Sequence, residues 1–284
     1  MKLKAGVQWM PKIFKVLSIL AALWTALMLC GILVFILIKG IPNLRPSLFN
    51  PVYTSENVSL LPALVTTLGI TLLSLAIAVP LGLFSAIFLV EYARQGNRFI
   101  SLVRLTAETL AGIPSIVYGL FGFLLFVTAF GWGYSVLAGA CTLAVMILPL
   151  IMRTTEEALK TVPANFREGS FALGAGKLRT VFRIALPAAL PGILAGVILA
   201  AGRIAGETAA LIYTAGTVAQ LPISTKVSAR TLAVHLYELW NEGMNTGPAY
   251  GTAVVLLVMV TGINTFSVFL GRKIAGCRLS EKAG

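Results

Sequence analysis

EGSFALG at positions 168–174, IALP at 184–187 and RIAGET at 203–208 belong to one segment that sets the architecture of the chain. The first part is charged and glycine-hinged, which is typical of a surface in contact with water. The last part lies in an apolar run and carries two opposite charges, Arg203 and Glu207. Charged side chains within an apolar helix indicate a polar site at membrane depth. We therefore expect the function to lie in this segment, which joins a water-exposed surface to that site.

The composition places the chain in a lipid bilayer. Of its 284 residues, 58% are hydrophobic and only 11% are charged, and the mean hydropathy is +0.92. Such a chain has too little polar surface to cover a soluble globule. The net charge of +12 would suit nucleic acid, but the basic residues are spread through short segments between apolar runs. A nucleic-acid partner needs a continuous basic surface, so none is expected.

Several kinds of chemistry are excluded by the residues that the chain lacks. All ten acidic residues are Glu, and no phosphate-binding loop of the G-x-x-x-x-G-K-[ST] type occurs. The chain is therefore not expected to be an enzyme, and any ATP must be bound by another subunit. The three cysteines, at positions 30, 141 and 277, lie too far apart to form a metal site. No cofactor or metal is expected in this chain.

Apolar runs predict six membrane-spanning helices in a single transmembrane domain over residues 1–284, so the fold class is all-α integral membrane. The anchor helix, 13–38, is too long for a signal peptide. The core helices are predicted at 62–90, 113–130, 134–152, 188–215 and 250–270. This arrangement places 17 Lys and Arg residues in inner segments and 4 in outer segments. It predicts that both termini are cytoplasmic.

The longest inner segment, the loop 153–187, is predicted to contain two short helices, which we call the knob (residues 163–187). Pro163 suits a first helical turn, and Gly174 permits a left-handed stop. Each helix carries an apolar stripe, formed by Phe166, Ser170 and Leu173 in the first and by Leu178, Val181, Phe182 and Ala185 in the second. The knob either re-enters the membrane interface without a partner or docks on another protein.

The polar site in the fifth helix has two interpretations. Arg203 and Glu207 are four residues apart, which predicts one helical face and a hydrogen-bonded ion pair. Three small residues share that face and would let another helix approach: Gly192, Gly196 and Ala200. The pair either locks two helices together or serves an anion pathway, in which Glu207 competes for Arg203 and keeps anion binding weak. Arg153 is either a second cationic step or an ordinary inner anchor.

Two further charged positions are assigned to packing. Glu108 is expected at the inner interface near Arg104, although it could join the charged site. His235, the only histidine, lies on an outer segment and is expected to pack there. Ligation by His235 would need a second histidine, which the chain does not have.

The knob carries the first family resemblance. Its spacing is similar to the E-A-A, three residues, G, nine residues, I-x-L-P loop of importer permeases of the ATP-binding cassette class. The matching residues are Glu168, Gly174, Ile184, Leu186 and Pro187. Gly169 and Ser170 stand where that pattern has two alanines, and both are small. In that family the loop docks on an ATPase subunit, and the resemblance implies the same role here.

Several stretches together resemble the phosphate-specific importer permeases of the PstA type, which have a MetI-like fold. They are PSIVYGL at 114–120, LP at 148–149, RTTE at 153–156, the knob, and RIAGETA at 203–209, and they cover about two thirds of the chain. The resemblance implies that Arg203 and Arg153 are needed for phosphate passage and that Glu207 is their counter-charge. Thr208 belongs to the same motif and joins this set. The related PstC-type permeases share the Gly-Glu-Thr element.

The resemblance also implies an assembly. The partners would be a PstC-type permease, two ATPase subunits that bind ATP and Mg, and an external phosphate-binding protein, in a bacterial inner membrane. Rival functions are a permease for another oxyanion, such as sulfate, molybdate or phosphonate, and an ion-coupled secondary transporter or channel. An ion-coupled carrier would have no use for a docking knob.

Overall fold

A computed structural model describes residues 9–93, 96–243 and 246–280, and all regular structure in these ranges is helical. The α-helices are α1 Trp9–Gly40, α2 Leu61–Ile87, α3 Arg98–Ala111, α4 Ser115–Gly122, α5 Val136–Lys160, α6 Ala164–Ala172, α7 Lys177–Thr180, α8 Leu186–Ala205, α9 Ala209–Ile212, α10 Leu232–Glu242 and α11 Thr246–Ser280. Wider π-helical turns extend α2 over Phe88–Tyr92 and α4 over Phe123–Ala129, and another, Val181–Ala185, joins α7 to α8. The predicted all-helical fold is confirmed.

Five helices among the described residues are long and apolar enough to cross a membrane. They are Lys12–Asn43, Leu61–Tyr92, Val136–Lys160, Lys177–Ala205 and Thr246–Phe266. Arg98–Ala111 and Ser115–Ala129 pass the same test only as a pair, and the two helices meet at a bend of 103°. The bend falls at Gly112 to Pro114, where glycine and proline disfavour a continuous helix.

The predicted bounds of several helices are wrong, among them those of α11, which spans Thr246–Ser280 instead of 250–270. α5 continues eight residues past the predicted end at 152, to Lys160. Ion pairs at i,i+4 spacing support this extension: Arg153 with Glu157, and Glu156 with Lys160. The helix predicted at 188–215 ends at Ala205, because Gly206 caps it and the backbone of Thr208 leaves the helical conformation at φ −120°. The chain resumes as the separate helix α9.

The loops gather at two ends of the helix bundle. At one, which we call the inner end, the guanidinium of Arg167 lies 2.9 Å from the carboxylate of Glu91. At the other, the outer end, the backbone N–H of Ser135 donates to the carbonyl of Thr214 at 3.0 Å. Segments predicted to share a side of the membrane therefore meet at the same end of the bundle.

Close packing of α2, α5 and α8 forms the core. Its fully buried side chains include Ile70, Leu143, Ile147 and Ile204. Gly192 of α8 faces Ala158 of α5, and Gly196 faces Thr154, with no room for a Cβ at either glycine. The expectation that another helix can approach the small face of this helix is confirmed, and that helix is α5.

Replacing Gly196 by Val should destabilise the fold. A Cβ at this position would lie 2.7 Å from the Cβ of Thr154, so α5 and α8 would have to separate. We expect a loss of about 1 to 3 kcal/mol, as for other overpacked cores. Thermal unfolding of the purified chain measures it. Gly31→Val is the matched control, because nothing lies within 4 Å of a Cβ there. Equal unfolding temperatures for both variants would contradict the packing argument.

α1 stands to one side of this core. Its side chains are exposed along most of its length, and it contacts the rest of the fold near its end. There the ring of Phe35 meets that of Tyr250 edge to face, with centroids 5.8 Å apart. Gly40 packs against the backbone of Tyr250 and the side chain of Val254. The anchor therefore contributes little to the packing around the polar site.

Candidate functional site

Arg203 lies near the outer end of α8, about 25 Å along the helix axis from Leu186. Its side chain is exposed in the isolated chain. The neighbouring Leu199 is 60% exposed, so the guanidinium emerges beside an apolar surface. Arg203 thus presents a cation on a face of α8 that residues 9–93, 96–243 and 246–280 leave uncovered.

The predicted ion pair between Arg203 and Glu207 does not form. Four ion pairs occur within the described residues, and this pair is not one of them. The i,i+4 geometry is lost because the helix ends before Glu207. The carboxylate instead accepts a hydrogen bond from the backbone N–H of Ala210 at 3.2 Å, at the start of α9. The interpretation in which an Arg203–Glu207 ion pair locks two helices together is therefore not supported.

Two of the sequence stretches singled out above meet beside this site. Gly119 of α4 lies against α9, where a Cβ would come within 2.8 Å of the Cα of Ala210. The hydroxyl of Tyr118 donates to the carbonyl of Leu110 at 2.8 Å and so ties α4 to α3 across the bend. Thr208 is half-buried, and its carbonyl accepts from Leu211 and Ile212. The stretches 114–120 and 203–209 therefore form one packed unit around the break after α8.

Arg153 occupies a different level of the fold from Arg203. Its guanidinium pairs with Glu157 at 3.2 Å, and both side chains are more than half exposed. The next residue, Thr154, faces Gly196, which precedes Arg203 by seven residues, so the two arginines are about 10 Å apart along the axis. Arg153 also lines a cavity of about 140 Å³ with Arg104, Glu108, Glu156, Glu157 and Lys160. The expectation that Glu108 lies near Arg104 is confirmed.

The knob folds as two short helices with a left-handed residue between them. α6 starts after Pro163, and Gly174 has φ +79°, which only glycine adopts without strain. The hydroxyl oxygens of Ser170 and Thr180 lie 2.8 Å apart and join α6 to α7. Glu168 and Gly169 are exposed on the outside of α6. Ser170 is therefore a structural contact, whereas Gly169 is open to a partner.

The C-terminal part of the knob leads into α8. Ile184, Leu186 and Pro187 are half-buried there, and Leu186 packs against a small core cluster that includes Leu159 and Val181. The predicted second stripe divides, because Val181 and Ala185 are buried whereas Leu178 and Phe182 are exposed.

Apolar side chains cover the face of the knob that points away from the helix bundle. Leu173 is 90% exposed, and three further large apolar residues on this face are about half exposed or more: Phe166, Phe171 and Leu178. Such a patch marks an interaction surface. Its position at the end of the bundle opposite Arg203 makes the knob a separate surface from the polar site.

Arg167 is a residue that the sequence analysis missed. Its Nε donates to Glu91 Oε1 at 3.0 Å, and its two terminal nitrogens donate to the carbonyls of Val162 and Leu159, each at 2.9 Å. This side chain ties α6 to the ends of α2 and α5. Glu91 and Arg167 are 76 positions apart, so no spacing rule could have joined them. Glu156 was also missed, although its i,i+4 spacing to Lys160 was a usable signal.

His235 packs at the outer end, as expected, although its neighbours differ from those next to it in sequence. It is fully buried, and its ring meets that of Tyr53 edge to face at 6.1 Å. The guanidinium of Arg230 lies over the same tyrosine ring at 4.7 Å. Burial, and then the charge of Arg230, lower the pKa of His235 to about 3. The imidazole is therefore neutral at physiological pH.

This histidine should make the folded chain sensitive to mild acid. Because the pKa of His235 falls from 6.5 to about 3 on folding, the unfolded chain binds more protons between these values. Stability is then lost as the pH falls below 6.5, by about 1.4 kcal/mol one unit lower. Thermal unfolding at about pH 7.5 and 5.5 should show a smaller drop for His235→Gln than for the parent chain. An equal drop in both would contradict the linkage.

Comparison with known proteins gives three kinds of likeness. The family described as binding-protein-dependent transport system inner membrane component matches residues 78–276. A probable ABC transporter permease protein YqgI of Bacillus subtilis is 35% identical over 276 residues, covering 90% of this chain and 92% of that protein. The phosphate transport system permease protein PstA of Pasteurella multocida is 35% identical over 263 residues, covering 88% and 91%. PstA of Mycobacterium leprae is 38% identical over 208 residues, covering 71% and 68%.

Solved structures show the same fold at low identity. The MetNI methionine ABC transporter in an inward facing conformation has a chain with a TM-score of 0.57 and 20% identity, covering 84% of this chain and 96% of that one. A bacterial alginate ABC transporter in complex with its alginate-bound periplasmic protein gives a TM-score of 0.69 at 16% identity, covering 93% and 95%. These likenesses confirm the MetI-like fold that the sequence resemblance implied.

Proposed function

The chain belongs to the family of binding-protein-dependent transport system inner membrane components, and we propose that it is the permease subunit that carries phosphate in an ATP-driven importer. Family membership makes it a multi-pass membrane permease of an ABC importer. The substrate rests on the resemblance to permeases of the PstA type, which relatives at 35% and 38% identity confirm. Phosphate is the substrate that those relatives' names give.

The observation that carries the proposal is the exposed side chain of Arg203, on a face of α8 that the described residues leave uncovered. A guanidinium presents a planar fork of donors that suits a tetrahedral oxyanion. Because no carboxylate of the described residues pairs with it, Arg203 is available to a passing anion. Arg153 lies about 10 Å closer to the inner end than Arg203. It supplies a second cationic step, which is weaker because Arg153 is paired with Glu157.

Glu207 and Thr208 act differently from the prediction. The carboxylate of Glu207 holds the first turn of α9, and Thr208 forms the turn between α8 and α9. They position the break next to Arg203 and do not neutralise its charge. Weak, reversible binding, which transport needs, then follows from the exposure of a single cation.

The knob is the proposed link to ATP. Its exposed apolar face and the exposed Glu168 and Gly169 would dock on an ATPase subunit, and the π-helical turn Val181–Ala185 passes its motion to α8. Two ATPase subunits would bind ATP and Mg, a PstC-type permease would cover the face of α8 that carries Arg203, and an external phosphate-binding protein would deliver the anion. Both termini would be cytoplasmic, in a bacterial inner membrane.

Competition measures the substrate directly. The complete transporter is reconstituted with its binding protein in vesicles that contain ATP, and uptake of labelled phosphate is followed with unlabelled competitors. We expect uptake to need ATP and to be suppressed by phosphate but not by sulfate, molybdate or a phosphonate. If one of those anions suppresses uptake at a lower concentration than unlabelled phosphate does, that anion and not phosphate is the preferred substrate. Uptake driven by an ion gradient without ATP would reject the importer assignment.

A further inference from the structure

Two cavities adjoin at the inner end of the bundle, next to the small cavity that Arg153 lines; Arg104 and Lys160 border both the small cavity and the polar one described here. One, of about 660 Å³, lies between α2, α3 and α5, and residues of its apolar wall include Phe88, Leu102 and Met152. The other, of about 840 Å³, is polar, and its wall contains four cations: Arg98, Arg104, Lys160 and Arg167. The two share Leu89 and Ile100 as a common wall. The pair thus forms one amphipathic recess, apolar on one side and cationic on the other.

The position of α3 places this recess at the membrane surface. α3 meets α4 at 103°, so a membrane-crossing α4 leaves α3 lying along the interface. Phe99, Leu102 and Leu105 of α3 are each more than half exposed. The N-terminal Arg98 stands at the rim of the polar cavity. An amphipathic helix in this orientation presents its apolar side to acyl chains and its cations to headgroups.

The charges of the recess are not balanced within the described residues. Glu91 pairs with Arg167, and Glu156 is shared by Arg104 and Lys160. Four cations therefore face two carboxylates. Arg98 takes part in none of the ion pairs found between described residues, and its side chain is exposed. An anionic ligand would meet an excess positive charge at the rim.

We propose that this recess binds one anionic phospholipid of the inner leaflet. Its headgroup phosphate would lie between Arg98 and Lys160, and one acyl chain would fill the apolar cavity against Phe88 and Met152. The apolar volume is within the range of about 300 to 1,000 Å³ that ligand sites occupy. Basic pockets on the cytoplasmic side of membrane helices select anionic headgroups. A lipid suits the recess better than a protein segment, because one molecule matches both its apolar and its cationic parts.

Lipid retention by the full chain tests the proposal. The chain is purified in mild detergent, and bound phosphatidylglycerol and phosphatidylcholine are counted by native mass spectrometry after equal loading. We expect phosphatidylglycerol to be retained preferentially and Arg98→Gln to lower its retention about fivefold, the scale of one cation at an anionic surface. Arg98→Lys should keep most of it. Arg45→Gln, in the outer loop, is the matched control and should change nothing.

A second variant tests the apolar part. Ala107 lines the apolar cavity, and Ala107→Phe would fill it. We expect this variant to lose bound phosphatidylglycerol and to lose the rise in unfolding temperature that added phosphatidylglycerol gives the parent chain. Equal retention of the two lipids by the parent, or unchanged retention in both variants, would overturn the proposal. So would an Ala107→Phe chain that keeps its lipid but no longer assembles with its partner permease, because the recess would then be a protein interface.

Discussion

The Arg203→Gln variant should assemble normally and import almost no phosphate. Glutamine keeps two donors but loses the charge and the planar fork that would meet the anion. A hydrogen bond to a charged group contributes about 1.5 to 3 kcal/mol, so the loss in uptake rate should be about 10- to 100-fold. The fold should be unaffected, because Arg203 is exposed and pairs with no carboxylate among the described residues.

Two further variants separate charge from geometry at this site. Arg203→Lys keeps the charge without the fork, and we expect it to retain part of the uptake. Arg45→Gln removes an exposed cation from the outer loop and should retain all of it. Two measurements are made: the uptake of labelled phosphate, and the subunit composition of the complex after copurification. Full uptake by Arg203→Gln would remove Arg203 from the phosphate path.

The Arg167→Met variant should separate ATP hydrolysis from transport. In the parent chain, the side chain of Arg167 holds α6 to α2 through Glu91 and to the end of α5 through two carbonyls. Methionine leaves Glu91, only 8% exposed at its side chain, without its cation. Breaking a buried pair in this way costs about 3 kcal/mol or more. α6 would then move without moving the ends of α2 and α5, so we expect hydrolysis by the partner to continue while phosphate uptake falls at least about tenfold.

A double-mutant cycle tests whether the pair itself is responsible. Glu91→Gln combined with Arg167→Met removes both charges, and the double variant should unfold at a higher temperature than Arg167→Met alone. Arg179→Met is the matched control, because Arg179 is an exposed cation on α7. It should leave stability and uptake unchanged. If Arg167→Met transports at the parent rate, the knob does not drive the helix bundle through this contact with α2 and α5.

Local signals in the sequence were sufficient for much of the fold. Hydrophobic runs located the spans, Gly174 marked the left-handed turn of the knob, and the glycines of α8 identified the face that meets α5. Each of these depends on residues close in sequence, whose backbone preferences act wherever the chain goes. The bend between α3 and α4 also has a local cause, because Gly112 and Pro114 disfavour a continuous helix.

The error at Glu207 has a definite cause. Helical periodicity places Arg203 and Glu207 on one face only if the helix continues through both, and an apolar run does not show where a helix ends. Gly206 was a signal for termination, since glycine is common just past a helix end. The Glu91–Arg167 pair could not be predicted, because it depends on how α2 and α6 meet in three dimensions.

The exposed apolar face of the knob has a consequence for the newly made protein. Leu173 and Leu178 are exposed at the inner end of the bundle, where the proposed ATPase subunit would cover them. A copy made in excess would thus expose an apolar surface, and such a copy would aggregate or be degraded. We expect cells to synthesise this chain in step with its companions, and surplus copies to have shorter lifetimes than incorporated ones.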